Sequence, residues 1–113
     1  MARVIAAIPD LFFRAKVLET AKALAVEVEV ARDADEMVQK MRAEKPALVL
    51  IDLQAAALQP LEMLPTLQGI PVIGFLAHEQ TELREKALAA GCADVLTKGQ
   101  FSASLPQILK RVV

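Results

Sequence analysis

The sequence predicts an α/β fold, a five-stranded parallel sheet doubly wound into a three-layer sandwich, and three observations carry that reading. Short β-branched runs bounded by turn residues alternate with longer stretches whose apolar residues recur every three or four positions. Five strand runs and five helical stretches follow one another in strict alternation, which right-handed crossovers convert into a parallel sheet covered on both faces. The length, 113 residues, suits one hydrophobic core, so residues 1–113 are expected to form a single domain beginning at Met1, with no separate output domain.

Arg3 to Ile8 is a continuous apolar run suited to a strand buried on both faces, and Pro9-Asp10 closes it with a residue able to cap a helix. Phe13, Val17, Ala21 and Leu24 then form one helical stripe. Val26, Val28 and Val30 alternate with Glu27 and Glu29, the pattern of a sheet-edge strand with an acidic outer face. Asp33 caps a second helix through Met37, Val38 and Met41 that ends before Pro46, and Ala47 to Asp52 (ALVLID) is the central strand. Gln54 to Gln59 reads as an Ala-rich loop. Pro60 to Leu67 reads as a helix made short or bent by Pro65, which lacks a backbone donor. Ile70 to Leu76 is the fourth strand, Thr81 to Ala90 a helix ended by Gly91, and Ala93 to Thr97 the fifth strand. Ser102 or Ser104 is expected to open the last helix, with Leu105, Ile108 and Val112 facing inward.

Composition narrows the function. Hydrophobic residues make up 55% of the chain, mean hydropathy is +0.40 and the net charge is -1, so disorder is excluded and no basic excess invites nucleic acid or an anionic membrane. Aromatics are 4%, all four of them Phe, which removes the stacking platform of single-strand binders. Every apolar run is too short for a membrane span, and no signal-peptide cleavage site follows the start. A single cysteine, Cys92, with a single histidine, His78, offers neither a disulfide nor a structural zinc site. A cytoplasmic protein without metal or cofactor is the expectation.

In such a sheet, function gathers at the carboxyl ends of the strands. Asp52 ends the third strand there, Lys98 follows the fifth, His78 lies two residues past the fourth, and Pro9-Asp10 follows the first. Lys98 can pair with Asp52 as a structural ion pair or serve as the contact for an anion attached to it. His78 reads as an exposed loop residue, Cys92 as a small buried one, and Met37, Met41 and Met63 as core. Phe12 and Phe13 cannot both face the sheet from one helix, so one is expected near the site mouth. IPDLFF after the first strand is neither a flavin-phosphate loop nor G-x-G-x-x-G, and no cobalamin loop surrounds His78. No Ser/His/Asp or Cys/His set has plausible spacing, so no catalytic residue is assigned.

The whole chain resembles a response-regulator receiver domain, the phospho-aspartate signalling module of flavodoxin-like topology. ARDADEM is similar to the family's A-x-D/N-G-x-E-A, with Ala31, Asp33 and Glu36 in register, and Arg14 falls where the family has a basic residue early in helix one. KPALVLIDL resembles K-P-D-L-V-L-L-D-L and places Asp52 at the phosphoacceptor position. ALAAGCADVLTKG resembles A-x-x-A-G-A-D-x-Y-L-x-K-P and places Lys98 at the family's lysine position.

The departures from that pattern concern the chemistry. Counting back from Arg14, the two acidic residues that hold Mg²⁺ in the family are Ile8 and Pro9, and Asp10 falls one place later. The strand-four hydroxyl becomes Leu76, the strand-five aromatic becomes Val95, and the proline after the lysine becomes Gly99. Met-Pro after the acceptor is Ala55-Ala56, and Asp-Gly further on is Gln59-Pro60. The resemblance with these departures implies a degenerate, pseudo-receiver module that acts by binding a signalling protein, a histidine kinase or a downstream effector. One alternative is a receiver still phosphorylated on Asp52 in a two-component phosphorelay. Another is a small-molecule sensor using an apolar mouth near Phe12, Leu76 and Ala55 to Leu58. The family's interaction face corresponds here to Glu82, Arg84, Glu85 and Lys86 on the fourth helix with Lys110 and Arg111 on the fifth, whose mixed charge suits a protein partner or a weak homodimer.

Overall fold

The computed structural model describes residues 3–78 and 80–112. Strands β1 (Arg3–Ala7), β2 (Glu27–Ala31), β3 (Leu48–Asp52), β4 (Val72–Leu76) and β5 (Asp94–Thr97) form one parallel sheet in the order β2-β1-β3-β4-β5. Helices α1 (Leu11–Ala23), α2 (Ala34–Ala43), α3 (Pro60–Met63), α4 (Thr81–Ala89) and α5 (Lys98–Lys110) alternate with the strands. The sheet order reverses direction between β1 and β3, so the carboxyl ends of those two strands open a crevice where their connecting loops part.

Strand periodicity sorts the core into two layers. Val4, Ala6, Leu48, Leu50, Ile73 and Phe75 point to the face covered by α1 and α5, where they meet Val17, Ala21, Phe101 and Leu105. Ile5, Ala7, Val49, Ile51, Val72 and Leu76 point to the other face, against Met37, Met63 and Ala87 from α2, α3 and α4. Both β1 and β3 are buried along their whole length, as the apolar runs Val4–Ala7 and Leu48–Ile51 require, and the charged Arg3 and Asp52 at their ends are drawn in with them. In β4, a Cβ on Gly74 would lie 2.7 Å from Leu53 Cδ1 and 3.1 Å from Cys92 Sγ, so any larger residue would have to displace the Leu53 side chain that packs on the strand.

The β2 edge carries the alternation expected of it, yet Glu29 is not simply solvated. The buried Arg3 guanidinium pairs with the Glu29 carboxylate and donates to the Lys40 and Glu44 carbonyls, and Lys40 Nζ lies 3.2 Å from Glu29. One arginine thereby closes the carboxyl end of α2 onto the edge strand. Its hydrogen bond to Glu29, with that of Lys40, holds the Glu29 carboxyl below the usual range. On α2, Met37 is fully buried, whereas Val38 is 39% exposed because a neighbouring position lies about 100° round the helix.

One stretch is short, as Pro65 leads one to expect, and one helix start differs from the sequence reading. The Pro60 to Leu67 stretch is one short α-helical turn, α3, followed by a 3₁₀ segment at Leu64–Leu67 with Pro65 in its first turn. The last helix opens at Lys98, four residues before Ser102. The Thr97 hydroxyl accepts the Gln100 N–H at 3.1 Å and the Gln100 side-chain oxygen accepts the Thr97 N–H at 3.0 Å, a reciprocal cap that starts the helix directly at the end of β5. That start fixes where Lys98 stands.

Candidate functional site at the carboxyl edge of the sheet

Asp52 is the last residue of β3 and shares the α1/α5 face with Leu48 and Leu50, so the strand that buries those leucines also draws its carboxylate inward to 8% exposure. Asp52 Oδ1 accepts the Gln54 N–H at 2.9 Å. Burial pushes the Asp52 carboxyl above the ordinary aspartate range. The Gln54 N–H and the positive charge of Lys98 oppose that rise, and the charge of Asp10 adds to it.

Lys98 and Asp52 are brought to the same crevice without touching. Among the described residues no ion pair joins them, and the expected structural salt bridge gives way to an attraction at longer range. Lys98 is held instead against a stack of rings. Phe13 stacks on Phe75 with ring centroids 5.4 Å apart, Phe75 stacks on Phe101 at 4.5 Å, and Lys98 Nζ rests 5.5 Å from the Phe13 centroid, where the ring face attracts a cation. Phe13 is thus the inward member of the Phe12-Phe13 pair. Phe12, 81% exposed, and Leu11, 70% exposed, stand at the start of α1.

Asp10 is the N-cap of α1, and its Oδ1 accepts the Phe13 N–H at 3.0 Å. Ile8 is fully buried and Pro9 half-buried. A divalent cation of the magnesium kind needs a near-octahedral shell of oxygens, usually from more than one free carboxylate. Here one of the two acids is engaged in capping, Ile8 and Pro9 offer no side-chain oxygen, and no group of three potential ligands converges among the described residues. The donor set does not fit the cation site that the receiver pattern implies.

Leu76 and Val95, at the positions of the hydroxyl and the aromatic, are 1% and 2% exposed and belong to the α2/α3/α4 side of the core. Arg84 instead ties α4 to β5: its guanidinium donates to the Val95 carbonyl at 2.8 Å. A second crossing links β3 and β4: the Ala77 N–H donates to Gln54 Oε1 at 2.6 Å. Neither contact is legible in residue type alone, because each side chain bonds backbone far away in sequence.

The model of the response regulator receiver domain family matches residues 11–110. The chain belongs to that family. Solved structures agree with the fold: the receiver domain resembles the chemotaxis response regulator CheY4 of Vibrio cholerae with a TM-score of 0.84 at 23% identity, covering 100% of this chain and 99% of that one. NtrX from Brucella abortus gives a TM-score of 0.85 at 21% identity over 99% of this chain but only 27% of its own, so the receiver domain spans about a quarter of that protein. A response regulator from Thermotoga maritima gives 0.81 at 18% identity. At such identities the likeness speaks for the fold alone. No significant relative was found among curated proteins.

The residues expected on the interaction face divide into three groups. Glu82, Glu85 and Lys86 are exposed on α4, with Lys86 Nζ 3.0 Å from Glu82 one turn away, and Lys110 is exposed near the end of α5. Arg84 is turned inward onto β5. Arg111 lines a cleft at the opposite edge of the sheet with Leu48, Pro71, Ile73 and Asp94. His78 is exposed in the turn after β4, and burial pushes the Cys92 thiol up to about 11, which leaves it inert as a nucleophile. The apolar mouth loses Leu58 and Leu76 to the core. No described helix is long and apolar enough to cross a membrane.

Proposed function

We propose that this receiver domain is a pseudo-receiver: it binds a signalling protein, a histidine kinase or an effector, without Mg²⁺-dependent phosphorylation of Asp52. Receiver domains are in general non-enzymatic signalling modules, and that part of the reading comes with the family. The observation that carries the rest is that Ile8 and Pro9 offer no side-chain oxygen, while among the described residues Asp10 and Asp52 each spend one carboxylate oxygen on a backbone N–H and no group of three potential ligands gathers. Without a cation, negative charge added at a carboxylate whose ionisation burial already opposes meets, among the described residues, the Gln54 N–H and the distant ammonium of Lys98.

The phosphorelay reading keeps one observation in its favour: Asp52 lies at the crevice within the field of Lys98. In that case a carboxylate oxygen would take the phosphoryl group from acetyl phosphate and release acetate. Two measurements separate the readings. Titration with Mg²⁺ followed by amide shifts around Asp52 is expected to give no saturable change up to about 10 mM, above the range that such oxygen sites usually need. Intact-mass analysis after acetyl phosphate and Mg²⁺ is expected to give the unmodified mass. Saturable shifts with an acid-labile adduct of one phosphoryl group, absent in Asp52→Ala, would establish the phosphorelay reading instead.

A further inference from the structure

Gln54 joins the two strand ends that border the crevice. Asp52 pairs with Phe75 in the sheet register and the Leu53 N–H donates to the Phe75 carbonyl at 3.0 Å, so two residues further along each chain Gln54 faces Ala77. Gln54 gives its own N–H to Asp52 Oδ1 and receives the Ala77 N–H on its side-chain oxygen at 2.6 Å. The first contact is an ordinary turn bond between residues two apart. The second spans 23 positions and is the shorter of the two.

The Ala77 N–H is the first backbone donor beyond β4, one residue removed from Asp52 through Gln54. An oxygen of any small oxyanion seated on this side of Asp52 would take that N–H, together with the pull of Lys98. A carboxamide oxygen is an acceptor of the same kind, and it is tethered, so it occupies the position without the entropy loss that a free anion incurs on binding.

We propose that the Gln54 carboxamide is a built-in occupant of the oxygen position between Asp52 and Ala77, fixing the start of the β4–α4 connection with no ligand and excluding small oxyanions. The idea deepens the pseudo-receiver reading and rests on it, since a crevice held in one arrangement from within suits binding that does not wait for a phosphoryl group. The chemical class kept out is the tetrahedral oxyanion, with inorganic phosphate as its simplest member.

Amide hydrogen exchange and ¹H–¹⁵N spectra of the full chain test it, comparing wild type with Gln54→Ala and Gln54→Glu. Loss of the acceptor in Gln54→Ala should speed exchange at Ala77 about threefold to tenfold, with core amides of β1 unchanged, and Gln54→Glu, which keeps an acceptor oxygen, should restore protection. Inorganic phosphate should then move the Ala77 and Lys98 amides in Gln54→Ala and leave them still in wild type. Equal exchange at Ala77 in wild type and Gln54→Ala overturns the proposal. So do equal phosphate shifts in the two proteins, or none in Gln54→Ala. These readouts use neither Mg²⁺ nor a phosphodonor, so they test the Gln54–Ala77 contact on its own, whereas an acetyl phosphate adduct on the wild type would overturn the pseudo-receiver reading and the exclusion of oxyanions with it.

Discussion

Asp52 is 8% exposed and, among the described residues, accepts one backbone N–H, that of Gln54, so burial outweighs the compensation of its charge. Burial raises its carboxyl above the ordinary value of 3.8, which means that the folded chain binds this proton more tightly than the unfolded chain. The sign follows: stability from this group is greatest where Asp52 is protonated and declines as pH rises from about 3.8 through the raised folded value. Asp52→Asn removes the charge and keeps an acceptor for Gln54. Its melting temperature should exceed that of the wild type at pH 7, and the gain should vanish as pH falls below about 3.8. A variant melting at or below the wild-type temperature at pH 7 would mean that Lys98 compensates the carboxylate after all. At this scale the sequence is informative about position and poor about direction. The run ALVLID marks Asp52 as a strand end, but that Lys98 rests on Phe13, and that Gln54 reaches Ala77, depends on side-chain paths that strand periodicity does not specify.

Two helices end in the same hydrogen-bonded motif with different residues at its critical point. After α4, Gly91 has φ 118°, its N–H donates to the Leu88 carbonyl and the Cys92 N–H donates to the Ala87 carbonyl. After α1, the Ala25 N–H donates to the Lys22 carbonyl and the Val26 N–H to the Ala21 carbonyl, with Ala25 held at φ 56°. A Cβ in that left-handed region costs about 1 kcal/mol. Ala25→Gly should therefore stabilise by up to about 1 kcal/mol in urea denaturation, whereas Gly91→Ala should destabilise by at least as much. Equal and small effects at both sites would show that neither backbone is strained. The glycine end was legible in the sequence because Gly91 follows a helical stripe; the Ala25 end was not, because alanine signals continuation. The start of α5 was legible in retrospect. Thr97-Lys98-Gly99-Gln100 has the T-x-x-Q spacing of a reciprocal cap, but Gly99 within it is a poor helix residue and Ser102 offers an equally good capping type. Thr97→Ala should cost about 1 kcal/mol and Ser102→Ala much less, measured by the same denaturation.

The receiver domain as a whole carries 13 basic and 14 acidic residues, so any association must use their local arrangement, because the net charge of -1 provides no long-range field. The parallel doubly wound sheet, with β2 at an edge and β3 inside, was readable from the alternation of strand and helix patterns, whereas the full strand order and the sorting of the core into two layers come from the structure. The outward surface was less readable, because helical spacing does not tell an arginine that faces solvent from one that reaches back to a strand. Arg84 is the case in point: its bond to the Val95 carbonyl makes it part of the fold, so Arg84→Glu should lower the melting temperature by stranding that carbonyl, at about 1 to 3 kcal/mol. Lys86 and Lys110 are exposed, and with Glu82 and Glu85 they leave charges of both signs along α4 and the end of α5. Pairing of two copies through such charges is weak and screened within about 8 Å at physiological salt. Sedimentation at low ionic strength should accordingly show a concentration-dependent dimer in the wild type. Reversing Lys86 and Lys110 together to glutamate should weaken it about threefold to tenfold, and 0.5 M salt should abolish the difference. Because Lys86 loses only an exposed pair with Glu82, the same double variant should cost about 0.5 kcal/mol of stability. Strict monomers at every wild-type concentration, or a dimer indifferent to both reversals, would take self-pairing away from this face and leave it to a partner of another kind.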